Sequence, residues 1–172
     1  MKKILSSLTI VALLCAVLTT TASCNIFRKT SRARVKTLMV TGNYMKPRLL
    51  AELGQYYTKQ PILLFLQDAD SDTPRLYYLA NEKSEEIAAS KFADFIQFLN
   101  PKTIVVLGDD NCVPPAYVKQ AQESYRVMVL NSADWEQNAQ MLGELLDQPA
   151  LGREFKDYLK RFEENTAPKA AK

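Results

Sequence analysis

The chain has 172 residues, with 22 lysines and arginines against 19 aspartates and glutamates, 3 cysteines and no histidine. A Ser-His-Asp triad, a Cys-His pair and a histidine-based zinc site are excluded by composition. The formal charge of +3 is small, and much of the basic excess lies in one short segment, so no nucleic-acid partner is expected.

In chain order the first element is Met1-Lys2-Lys3, a short positive region, followed by a run from Ile4 to Leu18 that is apolar apart from Ser6, Ser7 and Thr9. This is the layout of a secretory signal. The run falls short of the ~20 residues that span a bilayer. The small residues Ala22-Ser23 lead directly into Cys24. "LTTTASC" resembles the lipobox of bacterial lipoproteins and departs from it at Thr21, where that family usually carries Leu. The resemblance implies removal of residues 1–23, a diacylglycerol lipid on Cys24, and a bacterial cell-envelope location, facing the periplasm or the cell surface. Cys15 would leave with the signal and Cys24 would be acylated, so Cys112 has no partner in its own chain and no disulfide is expected. Cys112 reads as a small, half-buried residue in a turn before Pro114-Pro115. It has no histidine to activate it as a nucleophile.

Residues 24–34 form a basic tether. "NIFRKTSRARVK" carries Arg28, Lys29, Arg32, Arg34 and Lys36 without an acid. Removing these with Lys2 and Lys3 leaves a body in which acids outnumber bases. Such a segment suits anionic headgroups, each cation adding ~1 kcal/mol near a charged surface, or serves as a solvated spacer.

Residues 35–164 are one domain by length. "VKTLMV" (35–40), "PILLFL" (61–66), "TIVVLG" (103–108) and "RVMVLN" (126–131) are short apolar runs suited to strands buried on both faces of a parallel sheet. "KPRLLAELGQYYTK" predicts a helix with Leu49, Leu53 and Tyr56 on its buried face. "RLYYLA" predicts an antiparallel edge against "PILLFL". A helix is predicted from Ser84, as its cap, to Asn100, with Ala88, Phe92, Phe95 and Leu99 aligned. "PAYVKQAQESY" aligns Val118, Ala121 and Tyr125. Asp134 is placed to cap a helix with Gln137 in the reciprocal position, burying Trp135, Ala139, Leu142 and Leu146. A last helix from Pro149 carries Phe155, Leu159 and Phe162, and residues 165–172 read as a disordered tail. The alternation predicts a three-layer α/β domain of the Rossmann/flavodoxin kind, with a mostly parallel sheet of four to five strands.

Ligands of such sheets sit at the carboxyl ends of the strands. Those ends are "TGNY", "QDADSD", "GDDNC" and "NSAD", so the candidate crevice comprises Gly42, Asn43, Asp68, Asp109, Asp110 and Asn131. The alternative is a set of ordinary polar turns. Asp68, Asp70 and Asp72 begin like an EF-hand, but Thr73 and Leu79 stand where that loop needs Gly and Glu. "DADSD" with "GDD" resembles fragments of the aspartate-nucleophile phosphatases, but Asp72 stands at the Thr or Val place of their motif. No GxGxxG or GxxxxGK[ST] phosphate loop occurs. No catalytic residue, metal or cofactor is assigned.

"LMVTGNYMKPRLLAELGQYYTKQPILLF", "LNPKTIVVLGDDNCVPPAYVKQ" and "RVMVLNSADWEQNAQMLGELL" together resemble the type 2 cell wall-binding repeat of bacterial surface proteins. Gly42, Pro61 to Leu64, Gly108 and Val113-Pro114 match, and Asp109 replaces a second glycine. This implies a non-catalytic binding domain for peptidoglycan, another wall polymer or an envelope protein. "FLNPKTIVVLGDD" and "WEQNAQMLGELLDQPALGREFKDYL" also resemble one lobe of the periplasmic receptors for siderophores and cobalamin, with Lys102 in place of an Asp. The alternative function is thus a single-lobe solute binder that needs a partner for its second lobe. A metal-assisted, phosphatase-like hydrolase ranks last.

Overall fold

The computed structural model describes residues 35–67, 70–71, 73–80 and 82–166. Cys24, the signal, the tether and Asp68 lie outside them. Six strands form one mixed sheet in the order β4-β3-β2-β1-β5-β6. They are β1 (Thr37–Gly42), β2 (Ile62–Leu66), β3 (Arg75–Ala80), β4 (Lys83–Ile87), β5 (Thr103–Leu107) and β6 (Val127–Leu130). β2, β1, β5 and β6 run parallel, in register at Met39 with Ile62 and Val105 and at Val105 with Met128. β3 and β4 pair antiparallel. The helices are α1 (Met45–Thr58), α2 (Phe92–Leu99), α3 (Pro115–Gln122), α4 (Trp135–Leu146) and α5 (Leu151–Thr166).

All of β1 is buried, as is β5 beyond Thr103, because helices cover both faces of these central strands. α1, α4 and α5 pack together on one side, and α2 packs with α3 on the other. The first side holds the larger core, built on Met39, Leu50, Ile62, Val105, Leu142 and Phe155. The second is pinned by edge-to-face contacts among Phe65, Phe92 and Tyr117, with centroids 4.9–6.1 Å apart.

The sheet has six strands rather than four to five. The sixth comes from the segment read as the start of the Ser84–Asn100 helix. Lys83–Ile87 is an edge strand, with Leu76 paired to Ile87 and Tyr77 to Glu86. A short 3₁₀ turn, Ala89–Lys91, precedes α2. Ser84-Glu85-Glu86 imitates a capped helix start, but the tight turn through Glu82 (φ 63°) delivers the chain alongside β3. The pairing of β3 on both sides outweighs the local propensity, and the charged side chains suit an exposed edge. β3 is therefore interior, and Ala88 is exposed while Phe92, Phe95 and Leu99 are buried.

The buried face of α1 is also turned from the expected one. Pro47, Leu50, Ala51, Leu53 and Gly54 face inward, Leu49 is only half-buried, and Tyr56 is 67% exposed. Gly54 explains the rotation: a Cβ there would stand 2.9 Å from Met39 Sδ and 3.1 Å from Leu146. Small residues bring α1 close to the sheet and to α4, which a count of large apolar side chains overlooks.

Candidate functional site

β1 leads through α1 to β2 on one side, whereas β5 lies on the other side of β1 and leads away to β6. Loops leaving β1 and β5 thus part to opposite faces, which opens a crevice at their carboxyl ends. A cleft of about 600 Å³ occupies it, bounded by the first turn of α1, the loop after β5 and the loop after β6.

The β5 loop is built on two glycines and one carboxylate. Gly108 takes φ 109°, and a Cβ there would fall 2.3 Å from Cys112 Sγ. A Cβ on Gly42 would fall 2.7 Å from the Cα and carbonyl oxygen of Cys112. The loop therefore folds down onto the end of β1 and buries Cys112 to 6% exposure, deeper than the half-buried position read from the sequence. Burial pushes the Cys112 thiol above its ordinary pKa, the opposite of nucleophilic activation.

Asp109 Oδ1 accepts from the backbone N–H of Asn111 (3.1 Å) and of Cys112 (3.3 Å), while Oδ2 accepts from Asn111 Nδ2 (3.1 Å). These bonds, the Asn111 side chain first, hold the Asp109 carboxyl below its usual range. The carboxylate closes its own loop.

The β6 loop is held from beneath by Asn138, which is fully buried in α4. Its Nδ2 donates to Ser132 O (2.8 Å), and its Oδ1 accepts from Ser132 N–H (3.0 Å). Asp134 caps α4 as expected, accepting from Glu136 and Gln137 N–H. The reciprocal bond differs: Ser132 Oγ accepts from Asp134 N–H and donates to Gln137 Oε1, so Gln137 serves Ser132 instead. Asn138 was not read as a site residue. The signal for it was a polar residue at core spacing between Trp135 and Leu142.

The third wall is uncapped. No side chain caps α1 at Tyr44, its first turn holds no acid, Pro47 has no N–H, and the residues of this first turn, Met45, Lys46 and Pro47, line the cleft. Trp135, Tyr44, Met45 and Pro47 supply apolar surface, and Asn131 and Asn111 supply amides. Asn131 is exposed and its amide has no partner among the described residues.

Of the expected crevice residues, Asp109 and Asn131 line this cleft, and Gly42 backs it through Cys112. Asn43 lies in a neighbouring crevice of about 210 Å³ with Gln67 and Asn111, where its Oδ1 accepts from Arg48 Nη1 (2.7 Å). Asp110 is exposed and does not line the cleft. Among the described residues no group of three Cys, Asp or Glu side chains is placed to hold a metal, and no helix is long and apolar enough to cross a membrane. Comparisons with protein-family models, curated proteins and solved structures find no match.

Proposed function

We propose that this chain is a membrane-anchored lipoprotein of the bacterial cell envelope, tied through Cys24, whose flavodoxin-like domain binds a cell-wall component without chemically altering it. The cleft carries the binding reading. It is lined by the aromatic residues Trp135 and Tyr44, by Asn131 and by Lys46 at the uncapped start of α1. A wall glycan with its peptide stem presents matching chemistry: apolar sugar faces, hydroxyl and amide groups, and carboxylates. The acid and the thiol in the cleft are already engaged, Asp109 with its own loop and Cys112 beneath two glycines. That supports binding over turnover.

Trp135 is the single tryptophan, so its fluorescence reports occupancy of the cleft. Titration with soluble peptidoglycan fragments should change it saturably, and Trp135→Ala and Asn131→Ala proteins should no longer sediment with purified peptidoglycan. Unchanged sedimentation of both variants would reject the cleft as the binding site. The anchor is tested separately. Mature protein should begin at Cys24 and partition into detergent, and Cys24→Ala should remain in the aqueous phase or uncleaved.

A further inference from the structure

The amino ends of the parallel strands lie opposite the cleft, and they carry a row of cations. Lys36, Lys102 and Arg126 each immediately precede a strand, β1, β5 and β6, and those strands are neighbours. Their backbones are locked side by side: Lys102 N–H donates to Val35 O (3.1 Å), Thr103 N–H to Lys36 O (3.2 Å) and Ile104 N–H to Arg126 O (2.9 Å). Lys59, which caps the end of α1, and Lys83, the first residue of β4, extend the row toward the other edge. All of these side chains are exposed, and none is ion-paired among the described residues. Glu82, Glu123 and Asp147 stand at the same end without pairing to them. The opposite end mixes the two signs: Asp70, Asp109, Asp110 and Asp134 stand there with Lys46, Arg48 and Arg75, and Glu136 pairs with Lys156 (2.9 Å).

Neighbouring strands are ~4.8 Å apart, so the backbones that carry Lys36 and Lys102 lie within the screening length of ~8 Å at physiological salt. Like charges carried on adjacent strands repel, and an anionic surface facing them relieves that repulsion. The chain also enters the domain here, since Val35 N–H bonds to Leu99 O (3.3 Å) just before β1. Residues 24–34 therefore connect to this end, and fully extended they reach no more than roughly 40 Å. That segment holds four further cations in sequence, Arg28, Lys29, Arg32 and Arg34.

We propose that the amino end of the sheet is a membrane-docking surface for anionic phospholipid headgroups, which holds the domain upright with its cleft facing away from the bilayer. The orientation rests on anchoring at Cys24, whereas the headgroup binding does not.

The chain from residue 24 onward with Cys24→Ala keeps every described residue but carries neither signal nor lipid, and circular dichroism and melting establish that it is folded. It should sediment with vesicles of phosphatidylcholine containing one third phosphatidylglycerol, not with phosphatidylcholine alone, and 0.5 M salt should release it. Lys102→Gln with Arg126→Gln should weaken binding on the order of 25-fold, taking about fivefold per cation near a charged surface. Arg75→Gln, at the opposite end, should not. Equal binding to both vesicle types, or binding that survives the double substitution, would overturn the proposal. Preferential capture by peptidoglycan through Lys102 and Arg126 would overturn it too. Failure of the anchor is read independently, from the detergent partition of the wild-type chain.

Discussion

Asn138→Ala tests how the cleft is held together. The Asn138 side chain is fully buried and makes paired bonds of 2.8 and 3.0 Å to the carbonyl and N–H of Ser132. Each such bond contributes about 0.5–1.5 kcal/mol net, and a backbone group left dry and unpaired costs about 1–3 kcal/mol. Ser132 is only half-buried, so water can reach its freed groups in part. The expected loss is about 2–3 kcal/mol, against a total stability of ~5–15. A domain of this size loses roughly 4 °C of melting temperature per kcal/mol, which gives a fall of about 8–12 °C. Thermal and urea unfolding followed by far-ultraviolet circular dichroism measure it, and Trp135 fluorescence reads the loop directly. Ser132→Ala is the comparison. It removes the hydroxyl bonds to Gln137 and Asp134 but keeps the backbone clamp, so it should cost about 1 kcal/mol or less. An Asn138→Ala protein that melts within about 2 °C of wild type would refute the view that this amide holds the β6 loop.

The two glycines under the β5 loop should respond differently to one rescue. Gly108→Ala and Gly42→Ala should both destabilise, but Cys112→Ala should partly restore only the first, because Gly42 meets the Cys112 backbone and not its thiol; equal rescue in denaturant melts would contradict this. Asp109→Ala should destabilise at neutral pH, while Asp109→Asn, which keeps the Oδ1 acceptor, should lose less. Since the folded Asp109 carboxyl is lowered, its contribution is present above the ordinary value of 3.8 and fades as pH falls through the folded value. Asp109→Ala should therefore flatten the acid limb of stability against pH, and an unchanged limb would count against the loop-closing role. Tyr57 OH donates to Glu154 Oε2, joining α1 to α5, and this bond pushes the phenol up to about 12. Its contribution is complete below pH 10 and lost as pH rises through about 12. Ultraviolet titration should show a tyrosine ionising near pH 12 that is missing from Tyr57→Phe, and an unchanged titration would exclude the bond.

The apolar runs at β1, β2 and β5 were legible because strands buried on both faces need continuous β-branched and aliphatic residues whatever surrounds them; β6, expected to be buried in the same way, is an edge strand with only Leu130 buried and Val129 exposed. Asp134 was legible as a cap because capping is a bond between a side chain and its own next turn. What local pattern could not decide was anything set by a distant partner. Ser84-Glu85-Glu86 satisfied the rules for a helix start, yet the segment is a strand because β3 lies beside it. The buried face of α1 was fixed by the fit of Gly54 against Met39 and Leu146, residues far away in the chain. The strand ends marked the region of the cleft, since topology puts loops there in any such sheet. Only the tertiary structure sorted its residues, turning Asp109 inward to its own amides, sending Asn43 to Arg48 and leaving Asn131 free. The cations at the amino ends show the same division. Lys36, Lys102 and Arg126 are scattered along the chain, and strand order β1-β5-β6 alone makes them neighbours.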